Sequence, residues 1–214
     1  MKNMHSIRTD YVKGELRVQN MLVTPQEQLS LWIDNAIESS ALDANAFCLS
    51  TVNADGCPKG RMVLVKEIKG EALIFYTNKG SSKAQDLKVN PRAAATFYWP
   101  ELERQVCISG TVYEVSEDDN DIYFATRPRE SQLGAWVSDQ SQALDSRDTL
   151  NKTLKLVTDK YQGVSKIDRP PNWGGFRIEF ERVEFWQGRA SRLHDRVLYT
   201  KDGSGGWNKS LLQP

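Results

Sequence analysis

Residues 61–78 read RMVLVKEIKGEALIFYTN, and this stretch decides the fold. It contains two apolar runs, residues 62–65 and residues 72–75, separated by a Lys69-Gly70 turn. A turn this short joins antiparallel neighbours, because parallel strands need a crossover of about a dozen residues. Both runs are apolar at odd and even positions alike, so both faces of each strand should be covered, by a closed barrel or by a partner subunit. We favour a barrel within a homodimer.

Similar short runs, rich in Val, Ile, Phe, Tyr and Thr, flank this stretch at residues 46–53, 93–99 and 105–115. Residues 176–186 alternate between apolar and polar side chains, except for a slip at Glu181-Arg182 that predicts a β-bulge. We expect the last strands of the chain to close the barrel. The sequence therefore predicts a mainly β, antiparallel fold with a few helices.

The helix signals lie between and beside these strands. Thr24-Pro25-Gln26-Glu27 combines an N-cap, a proline at the first helical position and a capping box, and it predicts a helix to about Ser40. Further helices are predicted within residues 80–90, 116–125 and 146–161. The segment after Pro170-Pro171 is too short to fold alone. We therefore expect one domain over residues 23–214, preceded by an arm over residues 1–22.

The composition excludes several classes of function. The 214 residues include 28 Lys plus Arg and 28 Asp plus Glu, so no net charge attracts nucleic acid or an anionic membrane. Three cysteines without a CxxC spacing and only two histidines argue against a disulfide framework and against a metal site. The N-terminus lacks an apolar signal segment, and we expect a soluble, cytoplasmic protein.

The first candidate anion site is Gly80-Ser81-Ser82-Lys83. At the start of a predicted helix, free backbone N–H groups, hydroxyls and an ammonium can seat a phosphate. The alternative is a capped helix with a solvated lysine. Arg61 and Lys66 flank the first apolar strand, and the alternative for them is that they simply reach solvent.

A second candidate lies around Tyr123 and Arg127, which are four residues apart and share a helix face. Pro128 should bring Arg129 and Ser131 close to them. A phenol, a guanidinium and a hydroxyl together suit a phosphate monoester. An ordinary surface salt-bridge cluster is the alternative.

The third candidate is the alternating set Arg192, His194 and Arg196, which would share one face of an extended segment. Three basic side chains repel one another unless an anion or an electron-rich ring lies there; the alternative is a merely exposed face. Trp186 could wall an aromatic cofactor, although it could equally belong to the core. These candidates include no metal ligand and no activated nucleophile, so an organic cofactor would have to supply redox chemistry.

These motifs resemble the pyridoxine/pyridoxamine 5′-phosphate oxidase family, whose members use FMN. The resemblance extends from about residue 8 to residue 214. It rests on RMVLVK at 61–66, FYTN at 75–78, LERQ at 102–105, RPRESQLGAW at 127–136, QS at 140–141, FWQG at 185–188 and RLHDR at 192–196.

The resemblance implies a Greek-key-like split β-barrel homodimer with FMN at the subunit interface. The implied reaction oxidises pyridoxamine or pyridoxine 5′-phosphate to pyridoxal 5′-phosphate by hydride transfer to FMN, and O₂ then reoxidises the flavin to give H₂O₂. Residues 1–22 match an arm that can fold over the site as a lid.

By motif position, the resemblance also assigns roles to individual residues. His194 and Arg192 would be catalytic, and no metal is implied. FMN would be bound by Arg61, Met62, Val63, Leu64, Val65, Lys66, Tyr76, Thr77, Ser82, Lys83, Gln105, Gln140, Ser141, Trp186 and Arg196. The substrate would be bound by Arg8, Tyr11, Lys66, Tyr123, Arg127, Ser131, Arg192, Leu193 and His194.

One position departs from the family pattern: Ser82 stands where an arginine is usual. We expect weaker FMN binding, which Lys79 could offset. Two rival functions stay open. A split-barrel flavin or deazaflavin reductase would not need the Arg192–His194 set, and a non-catalytic module that binds FMN or pyridoxal phosphate is made conceivable by Ser82.

Overall fold

The computed structural model describes His5 and residues 10–214. This part of the chain forms nine strands, five α-helices and three short 3₁₀ turns at Val18–Asn20, Pro100–Leu102 and Ala190–Arg192. The helices are α1 (Pro25–Glu38), α2 (Ser82–Val89), α3 (Glu117–Thr126), α4 (Arg129–Val137) and α5 (Arg147–Lys160). The strands are β1 (Ala46–Val52), β2 (Pro58–Leu64), β3 (Glu67–Lys69), β4 (Ala72–Asn78), β5 (Arg92–Trp99), β6 (Arg104–Glu114), β7 (Trp173–Gln187), β8 (Asp195–Lys201) and β9 (Trp207–Leu211).

All strand pairs are antiparallel, as the short turns predicted. The order is β2-β1-β5-β6-β7-β4-β3, and the segment between β2 and β3 curls the sheet back on itself. There the backbone N–H of Val65 donates to Asn45 O over 2.9 Å, and that of Lys66 donates to Ile74 O over 2.8 Å. The result is a split β-barrel.

The expectation that the last strands close the barrel is wrong. Strand β8 pairs with the C-terminal half of β7, and β9 pairs only with β8. The physical reason is the length of β7, which has 15 residues. Its first half pairs with β4 and its second half with β8, so the last strands follow β4 along one side of β7 and pair with no other barrel strand.

The two decisive apolar runs differ in burial. Strand β4 is buried along almost its whole length, as predicted. Strand β2 begins earlier than predicted and ends at Leu64, and its outer face is open in the single chain: Met62 is 64% exposed and Leu64 is 39% exposed. The outer face of the sheet therefore carries apolar side chains that a second subunit could cover.

The core is built from aromatic side chains of the barrel and from α1. The Thr24 hydroxyl accepts from the Glu27 backbone N–H, which completes the predicted capping box, and α1 buries Leu29 and Trp32 against the sheet. The rings of Trp32 and Phe185 meet edge to face, with centroids 5.0 Å apart. Burial of each such side chain contributes about 1.5–3 kcal/mol to the free energy of unfolding.

The predicted bulge is confirmed at Glu181. Ser109 of β6 pairs with Arg182, whereas Gly110 pairs with Phe180, so Glu181 has no partner of its own in the ladder. A Cβ atom on Gly110 would lie 1.7 Å from the carbonyl oxygen of Glu179. Only glycine therefore fits beside the bulge.

Helix α4 is absent from the sequence prediction. Pro128 suggests a break after α3, but here it is the N-cap residue of the next helix. Within the described residues, no helix is both long and apolar enough to cross a membrane. These residues also contain no cluster of three or more His, Cys, Asp or Glu side chains able to hold a metal ion.

Candidate functional site

The first part of the site surrounds Lys83 at the start of α2. The Asn78 side chain shapes the turn: its Oδ1 accepts from the Gly80 N–H over 2.7 Å, and its Nδ2 donates to Ser138 O over 3.0 Å. Lys83 follows in the first turn of α2 and is only 7% exposed. The alternative of a solvated lysine is therefore wrong.

The Lys83 ammonium has only neutral acceptors. Its Nζ donates to Thr77 Oγ1 (3.1 Å), Ser81 Oγ (3.2 Å) and Gln140 Oε1 (2.9 Å), and no carboxylate among the described residues pairs with it. Burial, together with the positive charge of Arg61, lowers the pKa of Lys83 to about 8. A buried cation without a counter-charge is costly, so this position favours an anion. We call Lys83, Thr77, Ser81 and Gln140 the ammonium pocket.

Arg61 extends from β2 beside this pocket. Its Nη1 donates to Thr51 Oγ1 over 2.7 Å, and its Nη2 lies 3.6 Å from the buried carboxylate of Asp86. Lys59 also pairs with Asp86, at 3.3 Å. The single negative charge of Asp86 is thus shared by Arg61 and Lys59. It does not neutralise both cations, so the region around Lys83 stays positive.

Two further side chains beside the start of α2 have partners within the chain. The Ser82 and Ser141 hydroxyl oxygens lie 3.4 Å apart, which joins α2 to the segment after α4. Lys79 is held by the carboxylates of Glu114 (3.0 Å) and Glu117 (2.9 Å). The expectation that Lys79 offsets the missing arginine is therefore wrong, because its charge is already paired.

Residues 62–66 do not form a single contact set in this chain. Met62 and Leu64 are exposed on the outer face, while Val65 is buried in the core and Val63 is half-buried. Lys66 is exposed and lines an open groove of about 350 Å³ against α1.

The second part of the site surrounds Arg127, between α3 and α4. The Tyr76 ring stacks on Tyr123 at 4.0 Å and on Trp173 at 5.2 Å, and the Arg127 guanidinium lies 4.6 Å above the Trp173 ring. The Arg127 Nη1 atom is buried and has no hydrogen-bond partner among the residues that the structure describes. Burial also lowers the Arg127 pKa. We call Arg127, Tyr76, Tyr123 and Trp173 the guanidinium pocket.

An open cavity of about 370 Å³ connects the two pockets. Thr77 and Gln140, which hold Lys83, line it together with Arg127 and Ser131. Arg127 has no ion pair among the described side chains, so the alternative of a surface salt-bridge cluster is wrong. The cavity is also lined by Tyr76, Asn78, Gly134, Ala135, Ser138 and Trp173.

The expectation that Arg129 joins this group is wrong. Its guanidinium donates to Val164 O over 2.9 Å and to Tyr161 O over 2.6 Å, at the end of α5. The reason is that α4 begins at residue 129, and its first turns send Arg129 and Ser131 in different directions.

The third part of the site surrounds His194, near the C-terminal end of β7. The His194 and Trp186 ring centroids lie 4.6 Å apart, and the Tyr11 ring meets each of them edge-on at 5.6 Å. The backbone N–H of Arg189 donates to His194 Nδ1 over 3.1 Å. The neutral imidazole therefore carries its proton on Nε2. We call Tyr11, Trp186 and His194 the imidazole cluster.

Gln105 and Arg196 lie beside the imidazole cluster, because Trp186 pairs with Gln105 across β6 and with Arg196 across β8. The Arg196 guanidinium donates to Glu184 Oε1 over 2.8 Å and to Gln213 O over 2.7 Å. The carboxylate of Glu184 also raises the Arg196 pKa.

The prediction that Arg192, His194 and Arg196 share one extended face is wrong. Ala190–Arg192 form a 3₁₀ turn in which Ser191 and Arg192 adopt left-handed backbone conformations, with φ of 57° and 62°. Strand β8 begins only at Asp195. The chain must turn here because β8 runs back along β7. Arg192 and Leu193 are exposed at this turn.

The cavity and the imidazole cluster lie at opposite ends of one strand. Trp173 begins β7, and Trp186 precedes its last residue. At about 3.3 Å per residue they are separated by about 40 Å along the strand. The two groups are therefore well separated within one chain. Arg8, the remaining predicted substrate contact, lies outside the described residues.

Some residues of the site were missed by sequence reasoning. Trp173 packs under the Arg127 guanidinium and stacks with Tyr76. Asn78 and Ser138 hold the turn before α2 in place. The only signal for Trp173 is an aromatic residue at the first position of the strand after Pro170-Pro171. Arg189 was missed because its role depends on its backbone N–H, which every residue except proline has.

Comparison with known proteins gives one family. Residues 33–161 match a family model described as pyridoxamine 5′-phosphate oxidase, and residues 173–214 match one described as the pyridoxine 5′-phosphate oxidase C-terminal dimerisation region. The match of residues 173–214 to a dimerisation region supports a homodimer.

Curated relatives match over the whole chain. A pyridoxine/pyridoxamine 5′-phosphate oxidase of Rubrobacter xylanophilus is 43% identical, over 100% of this chain and 97% of its own length. The protein of the same name from Gloeothece citriformis is 45% identical, over 100% of this chain and 99% of its own.

Solved structures share the fold. PhzG from Burkholderia lata, in complex with tetrahydrophenazine-1-carboxylic acid, has a TM-score of 0.85 and 29% identity, covering 92% of this chain and 95% of its own. A pyridoxamine 5′-phosphate oxidase-related, FMN binding protein from Nostoc punctiforme has a TM-score of 0.71 at 18% identity, covering 91% of this chain and 100% of its own.

Proposed function

Because the chain belongs to the pyridoxine/pyridoxamine 5′-phosphate oxidase family, we propose that it oxidises pyridoxamine 5′-phosphate, pyridoxine 5′-phosphate or both to pyridoxal 5′-phosphate. The redox chemistry would be supplied by bound FMN as the hydride acceptor, with O₂ as the final oxidant and H₂O₂ as its product. The single observation that carries this proposal is the buried Nη1 of Arg127. Within the described part of the chain it has no hydrogen-bond partner, and it adjoins a cavity that also reaches the acceptors of Lys83.

The chemistry of the two pockets fits two phosphate esters. An ammonium without a counter-charge and a guanidinium with an unused donor adjoin one cavity, and each suits a dianionic phosphate. We assign the FMN phosphate to the ammonium pocket with Arg61, Ser82 and Ser141. The substrate phosphate is assigned to Arg127 with Tyr123 and Ser131. Lys66, which the resemblance assigns to both FMN and substrate, is proposed to contact both ligands.

The imidazole cluster is assigned to the two rings. Trp186, Gln105 and Arg196 would border the flavin, while Arg192, Leu193 and His194 would flank the pyridine ring. Since the His194 proton lies on Nε2, this side chain would donate a hydrogen bond to the substrate and hold it in register. Holding two reactants in a reactive geometry can lower the barrier by about 7–11 kcal/mol.

A complete site then needs two chains. The cavity of one subunit would face the imidazole cluster of its partner, because about 40 Å of strand separates these groups within one subunit. The exposed Met62, Leu64 and Tyr98 would be covered by the second copy. Residues 62–65 would reach FMN at this interface, and Arg8 and Tyr11 would close over the substrate as part of the arm, residues 1–22. The cytoplasmic location stays a prediction.

The test is an oxidation assay on the purified, FMN-loaded protein. Pyridoxamine 5′-phosphate should cause O₂ uptake and matching formation of pyridoxal 5′-phosphate and H₂O₂. Pyridoxamine without the phosphate is the matched control and should react far more slowly, because it cannot use Arg127.

The rival functions give other results in the same assay. A reductase for another small molecule would leave both vitamin compounds unchanged, and a storage module would bind them without O₂ uptake. Tetrahydrophenazine-1-carboxylic acid, the ligand of the PhzG structure, is a further comparison compound. Faster oxidation of this compound than of either vitamin phosphate would contradict the proposal.

A further inference from the structure

The arm is tied to the body of the protein next to His194. The Lys13 backbone N–H donates to Glu103 Oε2 over 2.9 Å, and the Leu16 N–H donates to Asp195 Oδ2 over 2.9 Å. Each is a charge-assisted hydrogen bond from the arm's backbone to a carboxylate. Asp195 directly follows His194, so one of the two ties lies within the site.

Arg189 connects the same arm to His194. Its backbone N–H donates to His194 Nδ1 over 3.1 Å, while its side-chain Nη1 donates to Gly14 O over 3.1 Å. The guanidinium also lies 3.6 Å from the carboxylates of Glu15 and Asp195. One residue thus holds the imidazole through its main chain and the arm through its side chain.

The turn between Arg189 and His194 needs support from outside. Ser191 and Arg192 are consecutive residues in the left-handed region, which non-glycine residues adopt only where the surroundings hold them. Beside the turn, Tyr11 packs on Gly188, where a Cβ atom would lie 2.7 Å from the Tyr11 ring. The docked arm therefore braces a strained turn whose last part carries His194.

We propose that Arg189 is a positioning residue: it makes the Nε2–H tautomer and the orientation of His194 depend on docking of the arm. This inference rests on the proposed function, in which His194 faces the substrate. With the arm docked, the Arg189 N–H occupies Nδ1 and Nε2 is the donor. With the arm released, the strained turn relaxes, Nδ1 loses its donor, and the two neutral tautomers can mix.

The experiment compares Arg189→Ala and Arg189→Lys in the FMN-loaded, full-length protein. Arg177→Ala is the matched control, since Arg177 is an arginine of β7 whose guanidinium also pairs with a carboxylate, that of Glu179. The readouts are hydrogen exchange of the Lys13 and Leu16 amides, the imidazole ¹⁵N spectrum, FMN affinity, and kcat/KM. The chain has only two histidines, so His5→Gln assigns the spectrum.

For Arg189→Ala we expect at least about tenfold faster exchange of both amides, because loosened segments open more often. The His194 resonances should change from one tautomer to a mixture. We also expect kcat/KM to fall about tenfold with FMN affinity unchanged, which corresponds to loss of one aligned hydrogen bond. Arg189→Lys should restore part of each change, and Arg177→Ala should match the wild type.

Unchanged exchange in Arg189→Ala would overturn the inference. Faster exchange with an unchanged His194 tautomer would overturn it as well, because the arm would then be uncoupled from the imidazole. The oxidase proposal fails separately: if the wild-type protein leaves both vitamin phosphates unoxidised, the exchange and imidazole readouts still decide the role of Arg189.

Discussion

The guanidinium of Arg127 lies over the indole of Trp173, 4.6 Å from the ring centroid, and its buried Nη1 has no hydrogen-bond partner among the described residues. The electron-rich face of the indole attracts the guanidinium, and burial makes an unused donor costly by about 1–3 kcal/mol. A phosphate in the adjoining cavity would satisfy that donor. This relationship is the basis of the substrate assignment.

Arg127→Gln should lower kcat/KM for both vitamin phosphates by about ten- to a hundredfold, since a hydrogen bond to a charged group contributes about 1.5–3 kcal/mol. The matched control is Arg129→Gln, because Arg129 is two residues away and bonds the Val164 and Tyr161 carbonyls instead. Steady-state kinetics decide the point. Equal losses of kcat/KM in the two variants would show that Arg127 does not bind the substrate phosphate.

FMN binding should weaken at alkaline pH through Lys83. Its pKa of about 8 in the free protein means that the ammonium is lost above that pH, and a phosphate binds the charged form. The FMN dissociation constant should then rise up to about tenfold per pH unit above 8. Lys83→Arg keeps its charge and should show no such rise; the same pH slope in both proteins would rule out Lys83 as the titrating group.

The same Lys83 pKa has a consequence for stability without FMN. The folded-state pKa lies below the unfolded value of 10.5, so between about pH 8 and 10.5 the unfolded chain binds more protons than the folded one. The free energy of unfolding should therefore rise with pH in this window, relative to Lys83→Met. Denaturant titrations at several pH values measure the free energy of unfolding. If it depends on pH in the same way in wild type and Lys83→Met, the pKa of Lys83 is not lowered in the folded protein.

Ser82→Arg should tighten FMN binding. The added guanidinium would lie at the start of α2, next to Ser141, and one charge-assisted hydrogen bond would lower the dissociation constant by about ten- to a hundredfold. Gln85→Arg, one turn further along α2, controls for the added charge. A flavin titration with the same constant for Ser82→Arg and wild type would refute the prediction.

His194→Ala and Arg192→Ala should each lower kcat/KM by at least about tenfold, because each removes an oriented contact to the substrate. FMN affinity should change little in either variant, since neither side chain is assigned to the flavin. If both variants stay within about twofold of wild type in kcat/KM, the catalytic assignment is wrong.

Gly110→Ala should destabilise the fold by more than about 3 kcal/mol, because its Cβ would overlap the Glu179 carbonyl beside the bulge. Gly134→Ala is the control: this glycine lies in α4 with open space around it, and alanine there should stabilise by about 0.5–1 kcal/mol. Urea unfolding measures both. Similar stabilities for the two variants would contradict this account of the bulge.

Local patterns predicted much of the fold. Short turns indicated antiparallel strands, the capping box at Thr24 indicated α1, and the slip at Glu181 indicated the bulge, because each is determined by neighbours in the sequence. The placement of β8 and β9 depends on how far β7 extends beyond its pairing with β4, which no local pattern records.

Predictions of the site were correct where a local sequence signal determines the backbone, and wrong where contacts distant in sequence determine it. Arg127 and Ser131 line one cavity because Arg127 is extended before Pro128, as a residue before proline usually is, although α4 itself was not predicted. The set from Arg192 to Arg196 was misjudged because Ser191 and Arg192 adopt left-handed conformations without a glycine signal. The arm contacts that hold this turn come from residues more than a hundred positions away, such as Gly14.

The most direct test of the proposed two-chain site is subunit complementation. Arg127→Gln and His194→Ala proteins, each expected to retain at most about a tenth of wild-type activity alone, are mixed under conditions that exchange subunits. Each mixed dimer then has one site with both changes and one site with neither, so an equal mixture should recover about a quarter of wild-type activity. Activity that stays at the mean of the two parent variants, with mixed dimers verified by mass, would show that each site lies within a single chain.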